Sequence, residues 1–415
     1  MKCQRADERS ARWYSGARDC HQTESNILSF PALYLLLALL IAPAADGHQT
    51  SPHMDDSQKI DALLASVTFP EAPGLAVLVR KDGRTLFLKG YGLADLRTKT
   101  NISPATNFRL ASFTKQFTAM AIMLLVHDRR LRYDQTLTSI FPEFPAYGKQ
   151  ITIRELLNHT AGLPDYEDLM EAAEKGRAPT WTEGHQIQDS EVLRLLEKET
   201  VPKFAPATRW SYSNSAYVVL GLIVAKVSGM PYGNFLRQRI FTPLHMDSTV
   251  PYEKGKSEIT HRAYGHTRDT TLFREADQSS TSATLGDGGI YSNLEDLGKW
   301  DDALRNDTLL SAEEMQPALT PASLINNAPT LWPAEPNEDN LHPGKAVSYG
   351  FGWFLDAYKQ HGTHQRMWHT GTTQGFRTVI QRFTKENLTI IILSNRTDLD
   401  PTALSLQIAD IVLGN

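Results

Sequence analysis

The sequence contains very little cysteine: Cys3 and Cys20 are its only two in 415 residues. Both lie within residues 1–45, so if that segment is removed the remaining chain has no disulfide, thiolate nucleophile or cysteine-ligated zinc. The chain also lacks any block of basic residues, and its net charge is −5. Composition therefore indicates no nucleic-acid partner.

Motifs for three other chemistries are missing as well. There is no Gly-x-Ser-x-Gly, which excludes the usual α/β-hydrolase nucleophile elbow. The glycine cluster at 286–289 lacks the Gly-Lys-Ser/Thr ending of a phosphate-binding loop, and we expect it to let backbone pass close to a helix. No histidines occur with the spacing and glutamate of a zinc protease. We therefore predict neither a metal nor a cofactor.

Long apolar runs are rare, and the one that stands out covers residues 27–41 near the N-terminus. Small residues follow it at Ala42–Ala45, as at a signal-peptidase site. We predict that residues 1–45 are a signal peptide or an N-terminal anchor, 46–57 a linker and 58–415 the main domain. Cleavage would give a periplasmic or secreted protein, whereas an uncleaved 27–41 would tether it to a membrane.

Alternating apolar patterns appear at both ends of the main domain, with helical patterns between them. Residues 74–79 and 85–88, separated by a polar Asp-Gly turn, predict a β-hairpin. Residues 151–260 are mainly helical in pattern, and strand signals return between 349 and 393 before a last helix. This order predicts an α/β fold: an antiparallel sheet from both chain ends, flanked by helices, plus a mainly helical region.

The most informative motif is Ser112-x-x-Lys115, which occurs once in the chain. Three residues are almost one helical turn, so the hydroxyl and the amine are expected on one helix face. A desolvated lysine is able to take the proton of a serine and make it a nucleophile. The apolar residues 113, 117, 120 and 124 predict a buried helix with Ser112 in its first turn. A serine at a helix start is also an ordinary cap, and the motif by itself leaves both readings open.

Two further segments fit the same chemistry. Tyr212 and Asn214 lie about one hundred residues after Ser112, just before a strongly apolar helix. Beside Lys115, Tyr212 would act as a base on Ser112 and later as an acid, while Asn214 would cap the helix and bind a substrate carbonyl. Each residue also has a purely structural interpretation: Tyr212 is then a half-buried aromatic residue, and Asn214 is only a helix cap. A second Tyr-Ser-Asn at 291–293 is discounted because Ser292 and Glu295 are expected to form the capping box of another helix.

The third segment is His369-Thr370-Gly371-Thr372, at the edge of a predicted strand. A glycine there lets a substrate backbone approach closely. The N–H of Thr372 would pair with that of Ser112 as an oxyanion hole, and His369, Thr370 and Gly371 would contact the substrate.

Together these segments resemble the penicillin-recognising serine hydrolases, and the nearest branch is the class C β-lactamase group with its related peptidases and esterases. The resemblance covers about residues 74–413 and implies a β-lactamase/transpeptidase-like fold for 58–415. It also implies acylation of Ser112, with Lys115 and Tyr212 moving the proton. Supporting stretches are 156–164, 286–292 and 349–353. His159, within the first of them, is expected to be structural and to bond backbone near the cleft.

One position departs from the family pattern, because His369 stands where the β-lactamases usually have lysine. A histidine is mostly neutral at pH 7, so the site loses a cation for the carboxylate of a β-lactam. Arg377, expected on the same strand, is the alternative source of that cation, and the sequence leaves open which face of the strand it occupies. We therefore expect an exported serine hydrolase acting on an amide or ester, such as a D-amino-acid peptide or a small peptide. The alternatives are a class C-type β-lactamase and a non-catalytic penicillin-binding or ligand-sensing protein.

Overall fold

The computed structural model describes residues 54–331, 346–358 and 364–414. Its strands are β1 Leu75–Lys81, β2 Arg84–Tyr91, β3 Leu93–Asp95, β4 Thr100–Asn101, β5 Phe108–Arg109, β6 Val250–Pro251, β7 His266–Asp269, β8 Leu272–Glu275, β9 Ile290–Ser292, β10 Phe354–Tyr358, β11 His364–Thr373, β12 Phe376–Phe383 and β13 Leu388–Ser394. Its α-helices are α1 Asp56–Ala65, α2 Lys115–His127, α3 Leu137–Ile140, α4 Ile153–Leu157, α5 Tyr166–Glu174, α6 Asp189–Leu196, α7 Asn214–Ser228, α8 Tyr232–Leu236, α9 Leu294–Arg305, α10 Ala312–Met315 and α11 Pro401–Leu413. Short 3₁₀ turns cover Ala111–Thr114, Ala146–Lys149, Gln316–Leu319 and Ile325–Asn327, and a π-helical turn covers Arg237–Phe241.

The main sheet joins the two ends of the domain. It has six antiparallel strands in the order β10-β11-β12-β13-β1-β2, so β1 pairs with β13 although about three hundred residues separate them. The β1–β2 hairpin turns at Asp82 and Gly83, whose φ angles of 51° and 75° are those of a type I′ turn. The predicted antiparallel sheet from both chain ends is therefore confirmed.

Strand β1 is apolar from Leu75 to Val79 because this part of the sheet is covered on both faces. Leu75, Val77 and Val79 pack in the apolar cluster that includes residues of α1 and α11. Ala76 and Leu78 pack on the opposite face, in the larger cluster that includes α2 and α9. Successive residues of a strand point to opposite faces, so a strand buried on both sides needs apolar residues at every position.

The start of α1 corrects the predicted end of the linker. Asp55 and Gln58 form a capping box, in which each side chain accepts from the other residue's backbone N–H. The helix therefore begins at Asp56, two residues inside the predicted linker 46–57. The signal or anchor predicted at 1–45, and the rest of that linker, lie outside the described residues.

Helices α4 to α8 lie within the predicted helical region 151–260, and α7 is buried among them. Helix α7 begins at the N-cap Ser213 and ends at Gly229, whose φ of 76° makes a left-handed C-cap. Within the described residues, no single helix is long and apolar enough to cross a membrane. Helix α7 and the segment Tyr232–Phe241 together are long and apolar enough, but the two are bent by 76° relative to each other.

Two predicted boundaries shift for physical reasons. The strand predicted from residue 349 begins only at Phe354, because the chain turns at Gly352, with φ of 76°. A side chain at Gly352 would come within 2.9 Å of the Lys115 carbonyl oxygen, so this turn packs directly on the start of α2. Helix α9 begins at Leu294 because Asn293, rather than Ser292, is its N-cap.

Candidate active site

Ser112 lies in the 3₁₀ turn that leads into α2. Its side chain is partly exposed, whereas almost all of the helix that follows is buried, including the predicted apolar residues Phe113 and Phe117. Ala111, just before the serine, has a φ of 51°. That left-handed conformation costs an alanine about 1–2 kcal/mol, and the packing around the turn must supply it. The turn therefore presents the hydroxyl at the surface of an otherwise closed core.

Lys115 lies directly beneath Ser112 and is fully buried. Its Nζ donates to Ser112 Oγ at 3.0 Å, to Asn214 Oδ1 at 2.9 Å and to the carbonyl oxygen of Asp287 at 3.0 Å. Two of these acceptors, Asn214 Oδ1 and the Asp287 carbonyl oxygen, carry no hydrogen and are therefore able only to accept hydrogen bonds. When the amine is neutral, they hold its two N–H groups, and its lone pair is left facing the Ser112 hydroxyl.

Burial also changes how readily Lys115 loses its proton. Desolvation lowers the pKa of Lys115 to about 8, while the negative charges of Asp287, Asp165 and Glu167 act in the opposite direction. About one tenth of the amine is then neutral at pH 7, roughly 300 times more than at an ordinary lysine pKa. The site is therefore suited to use Lys115 as a base close to neutral pH.

The lowered pKa predicts the pH dependence of hydrolysis. We expect kcat/KM for a neutral ester to rise about tenfold from pH 7 and level off above pH 9, since only the deprotonated Lys115 takes the serine proton. A rate profile between pH 6 and 9.5 measures it. The variant Lys226→Met, at the exposed end of α7, should give the same curve, and a flat wild-type profile would contradict this use of Lys115.

Asn214 reaches Lys115 because another residue caps the helix. The N-cap of α7 is Ser213, whose Oγ accepts from the N–H of Ala216 at 3.1 Å. The predicted capping role of Asn214 is therefore wrong, since Asn214 is already the first residue of the helix. Its side chain is instead turned toward the buried amine.

Tyr212 lies beside the same amine. Lys115 Nζ is 4.9 Å from the centre of the Tyr212 ring, within the range of a cation–π contact. The ring also packs against Phe354, with parallel planes and centres 6.5 Å apart. The structure thus brings Ser112, Lys115, Tyr212 and Asn214 together, while the proton-transfer role of Tyr212 stays a prediction.

Strand β11 passes directly alongside the Ser112 turn. A Cβ atom at Gly371 would lie 2.0 Å from the Leu110 carbonyl oxygen, so no other residue fits here without moving the strand. Thr378, the neighbour of Gly371 across the ladder, donates its hydroxyl to that same oxygen at 2.8 Å. The close approach places Gly371 and Thr372 beside the serine, where the predicted oxyanion role of the Thr372 N–H stays a prediction.

His369 occupies the floor of the site rather than its surface. Its side chain is 1% exposed, and burial together with the charge of Lys115 lowers its pKa to about 3. Nδ1 lies 2.6 Å from the Thr370 carbonyl oxygen and must donate, so Nε2 accepts from the Tyr349 hydroxyl at 3.0 Å. Both nitrogens are therefore occupied within the protein. The predicted direct contact between His369 and a substrate does not fit this arrangement.

Arg377 does not replace the missing cation. In an antiparallel ladder, paired residues share a face, and Gly371 with Thr378 faces the Ser112 turn. Arg377 pairs with Thr372 and so points to the other face. Its guanidinium donates to the carbonyl oxygens of Thr373 and Phe376 at 2.8 Å, where it holds the β11–β12 turn.

Sequence reasoning missed two contributors to the site, the Asp287 carbonyl and Tyr349, and anticipated part of the role of a third, His159. The carbonyl of Asp287 has no sequence signal, although the glycine cluster around it does. A Cβ at Gly286 would lie 2.2 Å from the Tyr217 carbonyl oxygen, so this loop runs against α7, as predicted. Tyr349 is the hydrogen-bond partner of His369. His159, expected only to bond backbone near the cleft, does so at the segment that carries Tyr212.

Titratable side chains elsewhere do not gather into a metal site. Within the part of the chain that the structure describes, no group of three or more histidine, cysteine, aspartate or glutamate side chains is arranged to hold an ion.

The chain is similar in sequence to known proteins. The β-lactamase family model matches residues 60–413. Penicillin-binding protein 4* of Bacillus subtilis (strain 168) is 32% identical over 335 residues, which are 78% of this chain and 68% of that protein. Protein flp of Staphylococcus aureus (strain MRSA252) is 26% identical over 346 residues, which are 82% of this chain and 63% of that protein. The chain thus spans only about two thirds of the length of these relatives.

Solved structures share the fold at lower identity. The octameric penicillin-binding protein homologue from Pyrococcus abyssi superposes with a TM-score of 0.68 at 22% identity, over 86% of this chain and 77% of that one. The D-amino acid amidase from Ochrobactrum anthropi SV3, complexed with L-phenylalanine amide, gives 0.67 at 24% identity, over 86% and 96%. These likenesses confirm the predicted β-lactamase/transpeptidase-like fold.

Proposed function

The chain belongs to the β-lactamase family, the penicillin-recognising serine hydrolases, and from that premise we propose that it hydrolyses amides or esters through an acyl-enzyme at Ser112. One observation carries the proposal: Lys115 Nζ, with a pKa of about 8, lies 3.0 Å from Ser112 Oγ and is oriented by two fixed acceptors. Neutral Lys115 takes the hydroxyl proton as Oγ attacks the substrate carbonyl carbon. Lys115 and Tyr212 then return a proton to the leaving amine or alcohol, and water hydrolyses the resulting ester.

The charges around Ser112 support a substrate that is neutral or positively charged at its acyl end. His369 and His159 are neutral, because burial lowers the pKa of each. The carboxylates of Asp165, Glu167 and Asp287 lie close enough to act on the charge of Lys115. A negatively charged β-lactam would therefore be repelled more than an amino-acid amide or ester. The fold is shared with a D-amino acid amidase, which is consistent with an amide substrate.

The test is intact-mass spectrometry of the protein after exposure to a fluorophosphonate and, separately, to a penicillin. A fluorophosphonate adduct on Ser112, with turnover of amino-acid amides or esters, supports the proposal. A penicilloyl adduct that forms rapidly and hydrolyses would favour the class C-type β-lactamase instead. If folded protein forms no adduct and hydrolyses nothing, the non-catalytic, ligand-sensing alternative replaces the proposal.

His369 allows the charge argument to be tested directly. We expect His369→Lys to raise the rate of penicillin acylation near pH 8 by about tenfold relative to a neutral ester. Residue 369 lies in the floor of the site, so the new positive charge acts through space rather than by contact, and a tenfold gain corresponds to roughly 1.4 kcal/mol. The matched control is His369→Gln, which keeps the side chain neutral and should give no gain. Equal rates for the two variants would show that the missing cation does not limit β-lactam recognition.

We also propose that the protein is exported, through the apolar segment 27–41 and the small residues that follow it. The mass of the N-terminus after expression in a bacterium tests this. A chain that begins at Asp46 in the periplasm or medium supports cleavage. A full-length chain in the membrane fraction supports a tether, and a full-length chain in the cytosol contradicts export.

A further inference from the structure

A short loop after α4 holds the segment that carries Tyr212. Residues 159–162, here called the clasp, accept four backbone N–H groups from residues 203–213. Gly162, with φ of 70°, lies so close to this segment that a Cβ atom would be 2.1 Å from the Phe204 carbonyl oxygen. The four bonds are Lys203 to the Gly162 carbonyl (2.8 Å), Ala207 to that of Thr160 (2.9 Å), Ser211 to that of His159 (3.0 Å) and Ser213 to His159 Nδ1 (3.2 Å).

Two of the four bonds come from one residue and flank Tyr212. The carbonyl oxygen of His159 accepts from the N–H of Ser211, and its ring nitrogen Nδ1 accepts from the N–H of Ser213. One residue reaches both groups because His159 has a φ of 65°, a left-handed conformation that turns its carbonyl and its ring toward the same segment. The backbone on each side of Tyr212 is therefore held by His159.

The ring of His159 keeps its acceptor form at ordinary pH. It is 1% exposed, and burial holds its pKa well below the usual value, helped by the positive charge of Lys115. Because Nδ1 accepts a hydrogen bond, the proton of the neutral ring is on Nε2. The Nε2 atom is buried without a hydrogen-bond partner among the described residues, so Nδ1 makes the ring's one directional bond there.

The same ring also contacts the side chain that it positions. The centre of the His159 ring is 4.4 Å from that of Tyr212 and 4.5 Å from that of Tyr349, the partner of His369. His159 thus limits both the backbone and the ring orientation of Tyr212, whose ring also packs against Phe354. Lys115 is in turn 4.9 Å from the Tyr212 ring.

We infer that His159 is the positioning residue for Tyr212, using Nδ1 as a backbone acceptor to aim the phenol at Lys115 and Ser112. The catalytic part of this inference rests on the proposed function. His159 itself touches neither a substrate nor the reacting atoms. Its loss should therefore reduce the rate of acylation rather than the affinity for substrate.

Three variants test the inference. His159→Ala removes the Nδ1 acceptor, and we expect kcat for an ester to fall about 100-fold with KM little changed. In His159→Asn, the side-chain oxygen replaces Nδ1 and the residue tolerates a positive φ, so most of the activity should return. His261→Ala is the matched control for the backbone strain, because His261 is exposed and has a φ of 46°.

A double-mutant cycle separates positioning from a general structural role. If His159 acts through Tyr212, adding His159→Ala to Tyr212→Phe should cause little further loss. Losses that multiply would overturn the inference, because they would show that His159 acts independently of the phenol. Failure of His159→Asn to restore activity, in a variant with the wild-type melting temperature, would overturn it as well.

Hydrogen exchange gives a readout that does not depend on activity. In His159→Ala the amide of Ser213 loses its Nδ1 acceptor and should exchange at least about tenfold faster than in the wild type, whereas the amide of Ser211, whose acceptor is the backbone carbonyl of residue 159, and the buried amides of α7 keep their protection. Unchanged exchange at Ser213 would overturn the inference whatever the kinetics show. If the wild type neither hydrolyses esters nor labels at Ser112, the proposed function fails, and exchange at Ser213 still decides whether His159 holds the Tyr212 segment.

Discussion

Ser112→Ala is expected to lower kcat/KM for amides and esters by at least about a thousandfold and to abolish labelling by a fluorophosphonate. The hydroxyl is the one group at the partly exposed end of the site that has a base beneath it, at 3.0 Å. The fold should survive, since Lys115 keeps its bonds to Asn214 Oδ1 and the Asp287 carbonyl. Stopped-flow hydrolysis and intact mass measure the two effects.

The control for Ser112→Ala is another serine that is open to solvent. Ser139 is exposed on α3, and its hydroxyl donates only along its own turn, to the Thr136 carbonyl. Ser139→Ala should leave both turnover and labelling unchanged. If Ser112→Ala kept more than about a tenth of the wild-type activity, the nucleophile would have to be another residue.

Lys115→Met is expected to slow acylation at least about 100-fold, because the serine loses its base while the volume of the side chain is nearly kept. The change also leaves Asn214 Oδ1 and the Asp287 carbonyl without the amine, which costs about 1–3 kcal/mol for each buried acceptor. We therefore expect a lower melting temperature with a folded protein. Pre-steady-state acylation by a chromogenic ester, followed from pH 6 to 9.5, separates the loss of rate from the loss of stability.

Two further variants make the test of Lys115 specific. Lys226→Met is the matched control, because the Lys226 amine is also 4.9 Å from an aromatic ring, that of Phe141, but lies at the exposed end of α7. It should retain full activity. Lys115→Arg keeps the positive charge but does not deprotonate near neutral pH, so it should be as slow as Lys115→Met. An active arginine variant would show that charge, rather than proton transfer, is what the site needs.

Much of the fold followed from local patterns. The Asp-Gly turn predicted the hairpin of β1 and β2, and Gly229 marked the end of α7, because both positions need the positive φ that glycine adopts readily. The ends of helices and strands did not follow from local patterns where a contact with a distant part of the chain sets them. The run that begins at residue 349 has the pattern of a strand, but the turn at Gly352 interrupts it. This turn packs against the start of α2.

The sequence alone determined the spacing of Ser112 and Lys115, since three residues within one helical turn bring two side chains together in any fold that keeps the turn. Only the tertiary structure decided what surrounds them. Asn214 and the Asp287 carbonyl come from distant parts of the chain, and it is burial among them that lowers the lysine pKa to about 8. The same holds for His369, whose neutrality the sequence predicted from an ordinary histidine pKa. Its inward direction depends on the partner Tyr349, which lies 20 residues away in the chain and which no local spacing specifies.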